Sequence, residues 1–508
     1  ASWPYIGVND HGFAIVNAYV GDWRLCNGEL MYNALLSCST VAGFLLQLAS
    51  YPQVDGSGNF SSFDSTGAAI MVEINQNQHW VFDANDTNVA PDGYIIRTNY
   101  CLSGGTGNGQ DRYDRLVALS DLLYNVSLFD TETFLQVIAR DFSTAADQPL
   151  SVPYPAHMTD NSPYGYIATG SSVARWGVGS TVVIKGILDT DTCVLPTMWT
   201  ILGHPSMGIA VPVWPGVSLP SVLVDGGEEG NNAPMCALSN SFEATLFDWT
   251  NVTYLDTYKL RNSGGTGLWD MVFPWESSAI NAIDSLFTAW ETNPPDSATV
   301  DSIQAAFADS AFVLLSQVVL DTTAILEFSG DVTSGAAPLQ VTFEEETLHS
   351  NSVITFQWDF DNDGVADSTG RFATWTYVQD SVYTVSMIVY YADGTQDTLT
   401  KTDYIDVGTV SNETFPSADS NLSIYPNPFN PETSISFAID EPDRAEVRIY
   451  DIRGRLVKTV FTGNLNKGEH LFIWNGIDNQ GKATASGVYF CRLKTKLINQ
   501  TRKLLLLK

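Results

Sequence analysis

From residue 326 onward the chain alternates apolar and polar side chains with a period of two. That pattern builds half-buried β-strands and excludes amphipathic helices, whose apolar positions recur every three to four residues. VTFEEET, ITFQWDFD, WTYVQ, YTVSMIVYY and YIDV carry it through 326–408, with turns at DNDG and ADGT. ISFAI, EVRIYDI, LFIW and GVYFCRL carry it through 422–508, with turns at NPFNPE, DIRGR and DNQGK. Two all-β sandwiches are predicted, separated by the polar, apolar-poor stretch TVSNETFPSADSN at 409–421, which reads as a linker.

The first 325 residues have a different texture. Strand-like runs (GFAIVNAYV, AAIMVEI, STVVIKGIL) alternate with amphipathic stretches near 30–50, 111–125, 131–140 and 297–319, which predicts one large α+β domain. A chain of 508 residues is too long for one core, so several domains are the expectation. No internal repeat is visible.

Fifty-seven acidic against 24 basic residues give a formal charge of −33, which repels phosphate backbones and anionic headgroups and argues against nucleic-acid partners. The same excess suits a solvated extracellular surface or divalent cations. Apolar runs such as GFLLQLA and the terminal LLLL are far short of the ~20 residues of a membrane span, so no transmembrane segment is expected. Cys26, Cys38, Cys101, Cys193, Cys236 and Cys491 are widely spread without a zinc-like spacing, and disulfides and buried thiols both remain open. The chain begins at Ala1 with no signal-peptide pattern, as a processed product or a longer protein's remainder would.

LSIYPNPFNPETSISFAI, then VRIYDIRGRLV, then WNGIDNQGKATASGVYFCRL and a basic tail closely resemble the type A sorting domains of the type IX secretion system. Pro426 and Pro428 suit an extended entry, Gly454 and Gly481 tight turns, and Trp474 the anchor of a small core. The resemblance implies the type IX machinery as partner and delivery to the outer surface of a bacterium or its surroundings. Residues 326–408 resemble a PKD (polycystic kidney disease) repeat through PLQVTFEEET, WDFDNDG and WTYVQDSVYTVSMIV, which implies a spacer or adhesion unit rather than a catalyst. Within it Asp359, Asp361, Asp363 and Asp367 place carboxylates on alternate residues around Gly364, a spacing able to wrap oxygens around one Ca²⁺. Gly370 stands where a bidentate Glu would complete such a loop, and a solvated Asp-rich turn is the other reading.

GVNDHGFAIVNAYVGD, LMYNALLSCSTVAGFLLQLAS, SSFDSTGAAIMVEI, IIRTNY and DRYDRLVALSDLL, in that order, resemble the isopenicillin N acyltransferase-like branch of the N-terminal nucleophile hydrolases. The resemblance implies a four-layer αββα sandwich and attack of an amino-terminal cysteine on a linear amide, with its own amine as base. Asn99 falls on the family's oxyanion-stabilising asparagine, although Tyr100 replaces the histidine that follows it there. Arg112 and Arg115 stand where the family often carries an arginine, a substrate-binding place for Arg112; ion pairs with Asp111 or Asp114 are the competing reading. Asn9 and His11 read as turn residues. The family's nucleophile precedes the GVNDHG block by several dozen residues where this chain has six, and neither Ala1 nor Ser2 supplies it.

The expected fold is therefore α+β: a four-layer αββα domain over 1–325, a PKD-like sandwich over 326–408, the linker 409–421, and a sorting sandwich over 422–508, both sandwiches immunoglobulin-like. Two functions compete. One is a surface-delivered amide C–N hydrolase or acyltransferase whose nucleophile segment lies outside this chain. The other is a non-catalytic subunit of a surface layer or extracellular filament, a homo-oligomer built on the same fold.

Overall fold

The computed structural model describes residues 6–19, 27–50, 57–75, 78–103, 106–107, 109–125, 127–143, 150–159, 162–191, 194–224, 232–248, 254–262, 264–408, 422–425, 433–439, 441–451, 456–479, 482, 484, 487–496 and 499–506. Ala1, Ser2, Cys26, Cys193, the 409–421 stretch, Pro426, Pro428, Gly454 and Gly481 lie outside them. The chain divides into two units, residues 1–408 and 409–508.

Strands β1 (Ile6–Val8), β2 (Ala14–Tyr19), β3 (Ser57–Phe63), β4 (Ala69–Asn75) and β5 (Gln78–Asp83) pair antiparallel in chain order. Strand alternation sorts their two faces. Phe13, Ile15, Phe60, Ile70, Val72 and Ile74 share one buried core with Leu30 and Met31 of α1 (Asn27–Ser37) and Phe44 and Leu48 of α2 (Val41–Ser50). The register pairs Asn59 with Glu73 and Ser61 with Met71, which sets these four on the face away from the helices. Asn9 fixes the turn into β2: its Oδ1 accepts from the His11 and Phe13 amides (3.1 Å each), and its Nδ2 donates to Leu35 O (3.1 Å) and Cys38 O (2.8 Å). Gly12 completes the turn at φ +80°, and His11 points to solvent, so Asn9 and His11 both serve the turn.

Helix α3 (Gln110–Asn125) follows this sheet, and Arg115 on it is buried against Asp141 (2.6 Å), not against Asp111 or Asp114. A second antiparallel sheet comprises β6 (Ser180–Lys185), β7 (Thr197–Leu202) and β8 (Val211–Val213), in the order β8-β7-β6. Trp199, Ile201 and Trp214 pack on Ala279, Ile283, Phe287 and Trp290 of α4 (Leu268–Trp290) and on Val300 of α5 (Ser297–Ser316). By length and composition α5 could cross a membrane. Its Val300, Gln304, Ala308, Ala311 and Leu315 form one buried face, on which Gln304 accepts from Trp214 N and donates to Ser218 O.

Arg140 and Glu276 form an ion pair with no solvent exposure on either side chain. Nη1 and Nη2 reach Glu276 Oε2 and Oε1 at 2.8 and 2.7 Å, while the remaining donors go to Leu135 O, Pro205 O and Gly208 O.

Residues 328–407 form a β-sandwich. One sheet is β9 (Phe328–Gly330), β10 (Leu339–Glu345) and β12 (Phe372–Tyr377); the other holds β11 (Val353–Asp359), β13 (Ser381–Tyr391) and β14 (Gln396–Val407). Phe343, Phe356, Trp358, Phe360, Met387 and Ile405 fill the space between them. This sandwich is bonded to the α+β part of the same unit. His349 Nδ1 lies 2.8 Å from Asp256 Oδ2, and the two ring nitrogens of His157 lie 2.6 Å from Ser162 O and 2.7 Å from Glu345 O. Burial pushes the Lys259 ammonium below its usual value although Asp256 opposes the shift, and burial raises the Glu345 carboxyl although Arg371 pulls the other way.

The second unit is also a two-sheet sandwich: β15 (Ser423–Tyr425), β16 (Thr433–Ile439) and β19 (Gly468–Trp474) in one sheet, β17 (Asp443–Asp451), β18 (Leu456–Leu465), β20 (Gly487–Lys494) and β21 (Asn499–Leu506) in the other. Trp474 is 1% exposed in its core and donates to Ile477 O at 3.1 Å.

Replacing Glu276 by alanine leaves the Arg140 cation buried and unpaired, and is expected to cost about 3–5 kcal/mol of stability by chemical denaturation. Lys185→Ala removes an exposed pair with Asp284 and should cost less than about 1 kcal/mol.

Candidate functional site

The face of the first sheet opposite α1 and α2 is polar where an ordinary core would be apolar. Glu73 is fully buried and surrounded: Arg97 Nε donates to Oε1, the Ser103 amide to Oε2 (2.8 Å), and the Cys101 thiol to Oε2 (3.3 Å). Burial by itself would raise this carboxyl, but the Ser103 amide and the Arg97 guanidinium together hold it below the ordinary value of 4.5. Arg97 also covers the Phe82 ring at 4.7 Å.

Asn59, 1% exposed, stands directly across from Glu73 and donates through Nδ2 to Thr98 O (2.8 Å) and Tyr100 O (2.9 Å). These two carbonyls flank Asn99, so one buried amide fixes the backbone on both sides of it. Asn59 Oδ1 meets no donor among the described residues. Thr98 Oγ1 donates to Gly109 O (2.9 Å), one residue before α3, and on that helix Arg112 Nη2 donates to Asn99 Oδ1 at 2.9 Å. The structure thus brings Asn99 and Arg112 together. Burial, and then the like charge of Arg175, depress the Arg112 guanidinium, with Asp111 opposing. Beside this segment runs an open groove of ≈ 450 Å³ whose walls include Phe82, Tyr94, Arg97, Tyr113 and Asp121, while Asn99 and Arg112 are not among its walls.

Asn59, Glu73 and Arg97 were not singled out from sequence. Glu73 lies inside AAIMVEI, where alternation reads it as the solvent-facing position of a strand. The usable signal was that this face also carries Asn59, too polar a pair for a packed interior without a reason.

In the sandwich of residues 328–407, Asp359, Asp361 and Asp363 bring carboxylate oxygens within 4.8 Å of one another. Turn amides already use several of their lone pairs: Asp359 accepts from Asp363 N (3.2 Å) and Gly364 N (2.9 Å), and Asp363 from Val365 N (2.8 Å). Asp367 stands apart, accepting from Phe360 N at 2.8 Å; burial, then Asp361, Asp359 and Asp363, raise its carboxyl. Three clustered carboxylates with spare lone pairs fit a hard cation held weakly.

Residues 426–496 match the family model of the FlgD Ig-like domain. Among solved structures, the chain is similar to the PKD1 domain of the Vibrio cholerae metalloprotease PrtV, at 27% identity over 16% of this chain and 96% of that chain, with a TM-score of 0.14. It is also similar to dimeric latent PorU from Porphyromonas gingivalis, at 14% identity over 37% and 20% of the two chains, TM-score 0.19. A third similarity is to PorZ, an essential bacterial surface component of the type IX secretion system of Porphyromonas gingivalis, at 22% identity over 24% and 15%, TM-score 0.15. No curated protein matches the chain.

A carboxyl whose folded value is depressed stabilises the fold above its unfolded value and loses that contribution as pH falls through the folded one. Wild-type stability should therefore fall below pH 4.5 partly through Glu73, and Glu73→Gln should flatten the pH dependence of the unfolding midpoint on that acid side.

Proposed function

We propose that the chain is an exported bacterial surface protein whose amino-terminal part is a linear amide C–N hydrolase or acyltransferase of the N-terminal nucleophile type. The supporting observation is the setting of Asn99, clamped from both sides by Asn59 and held at Oδ1 by Arg112. An amide oxygen accepts and an amide nitrogen donates, so with Oδ1 turned to Arg112 the Nδ2 end is the one that faces an oxyanion in this reading. In this reading an amino-terminal nucleophile attacks the amide carbon and the carbonyl oxygen takes the negative charge facing Asn99. The amine then leaves with a proton, and water or a second amine accepts the acyl group. Arg112, beside a second guanidinium, suits a substrate carboxylate. Two helix-covered sheets in the first 325 residues support the αββα arrangement.

Delivery by the type IX machinery to the outer surface is part of the proposal. It rests on the carboxy-terminal motifs and on the sandwich that Trp474 anchors there. The second reading, a non-catalytic subunit of a surface layer or filament, draws support from Glu73 and Arg97, which fill the polar face with a pair of their own.

Asn99→Ala in the native protein should lower kcat about 10²–10³-fold on responsive fluorogenic N-acyl amides with little change in KM. Unchanged turnover, or no amide turnover by wild type, contradicts the catalytic reading. For the cation, calorimetric titration of the full chain with Ca²⁺ should show a weak site, near the millimolar range, that Asp361→Asn/Asp363→Asn removes. Identical heats for wild type and variant reject it.

A further inference from the structure

Charge is shared unevenly along the chain. Residues 1–408 hold 11 Lys and Arg against 47 Asp and Glu, a balance of −36, whereas residues 422–508 hold 13 against 8, a balance of +5. In the second unit, Val447, Ile449, Cys491 and Leu493 point into the core. Alternation then sets Glu446, Arg448 and Tyr450 of β17 and Arg492 and Lys494 of β20 on the outer face. The register places Arg448 directly opposite Arg492, and Glu446 opposite Lys494.

Like charges directly opposite on paired strands repel. Glu446 Oε2 meets Arg448 Nη2 at 3.1 Å, but Arg448 Nε is closed off from solvent and meets no acceptor among the described residues. The five side chains line a concavity of ≈ 80 Å³, room for one carboxylate head group. Fork-shaped guanidinium donors suit that group.

We propose that this face is a self-recognition surface, taking carboxylates presented by residues 1–408 of a second copy of the chain. Charge complementarity selects that occupant, since each copy carries both a basic face and a strongly acidic surface. At about 0.1 M salt the Debye length is ~10 Å, so the charges in contact decide the interaction and the net repulsion between copies is largely screened. A face meeting a different surface on the next copy is a heterologous contact, which propagates into rings or filaments. The inference rests on the structural-subunit reading and gives it a contact.

Sedimentation velocity of the full chain tests it, with Arg448→Glu/Arg492→Glu compared with Lys467→Glu/Lys482→Glu, which makes the same charge change at exposed positions elsewhere in the unit. At about 0.1 M salt, wild type and the lysine variant should grow in mass with concentration, and both should revert to monomer at about 0.5 M. The arginine variant should stay monomeric throughout, with an unchanged circular dichroism spectrum. Arg448→Gln/Arg492→Gln, a milder change, should also lose association. An arginine variant that assembles like wild type overturns the surface while leaving the subunit reading intact. A wild type that is monomeric at every salt concentration overturns both.

Discussion

The Arg140–Glu276 pair is the constraint from which the larger unit is arranged. Taking two ions wholly out of water costs several kcal/mol each unless every donor and lone pair is answered. Here all five guanidinium N–H donors of Arg140 are used, two on Glu276 and three on backbone carbonyls, and Glu276 Oε1 also accepts from the Ala210 amide (2.8 Å). Those partners come from the helical turn at 134–138, the 205–210 loop and α4. The pair therefore fixes where the loop enters β8 and where α4 lies across the second sheet. It sits two residues beyond Pro274, where a helix lacks one backbone bond, and supplies side-chain anchorage at that point.

The strands of residues 326–408 were readable because period-two alternation there is strong: VTFEE, ITFQWD and YTVSMIVYY lie in strands, and the ends of the first two runs leave them. Where polarity broke the pattern, reading failed. DTLTKTD is the outer half of β14, and the basic tail becomes β21, because hydrogen bonding to β13 and β20 outweighs weak local alternation. Helix α4, the longest here, was missed because Pro274 reads as a break and its aromatic residues spread around more than one face. Asn99 and Arg112 could be picked out separately by motif order. Their hydrogen bond could not, and neither could Asn59, since that clamp joins a side chain to backbone carbonyls some 40 residues distant in sequence.

Two parts that look like separate modules in sequence share one buried junction. Asp256 and His157 from the first part meet His349 and Glu345 from the sandwich through contacts that solvent barely reaches. Severing such bonds would strand buried polar groups, so the sandwich is a fixed extension of the α+β part rather than a freely swinging spacer. The sequence signal for this was slight: one histidine in TLHS and one in PAHM.

The proposed function joins a positioned asparagine, an arginine that orients it, and a carboxy-terminal sandwich to which the proposal gives the role of surface delivery. Its catalytic core is tested most directly by treating the native protein with an amide-mimicking acylating probe and mapping the adduct by intact and tandem mass spectrometry. A single acyl group on the mature protein's amino-terminal residue, abolished by Asn99→Ala, is the predicted result. No adduct, or adducts scattered over surface lysines and insensitive to Asn99, would contradict the catalytic account and leave the structural one.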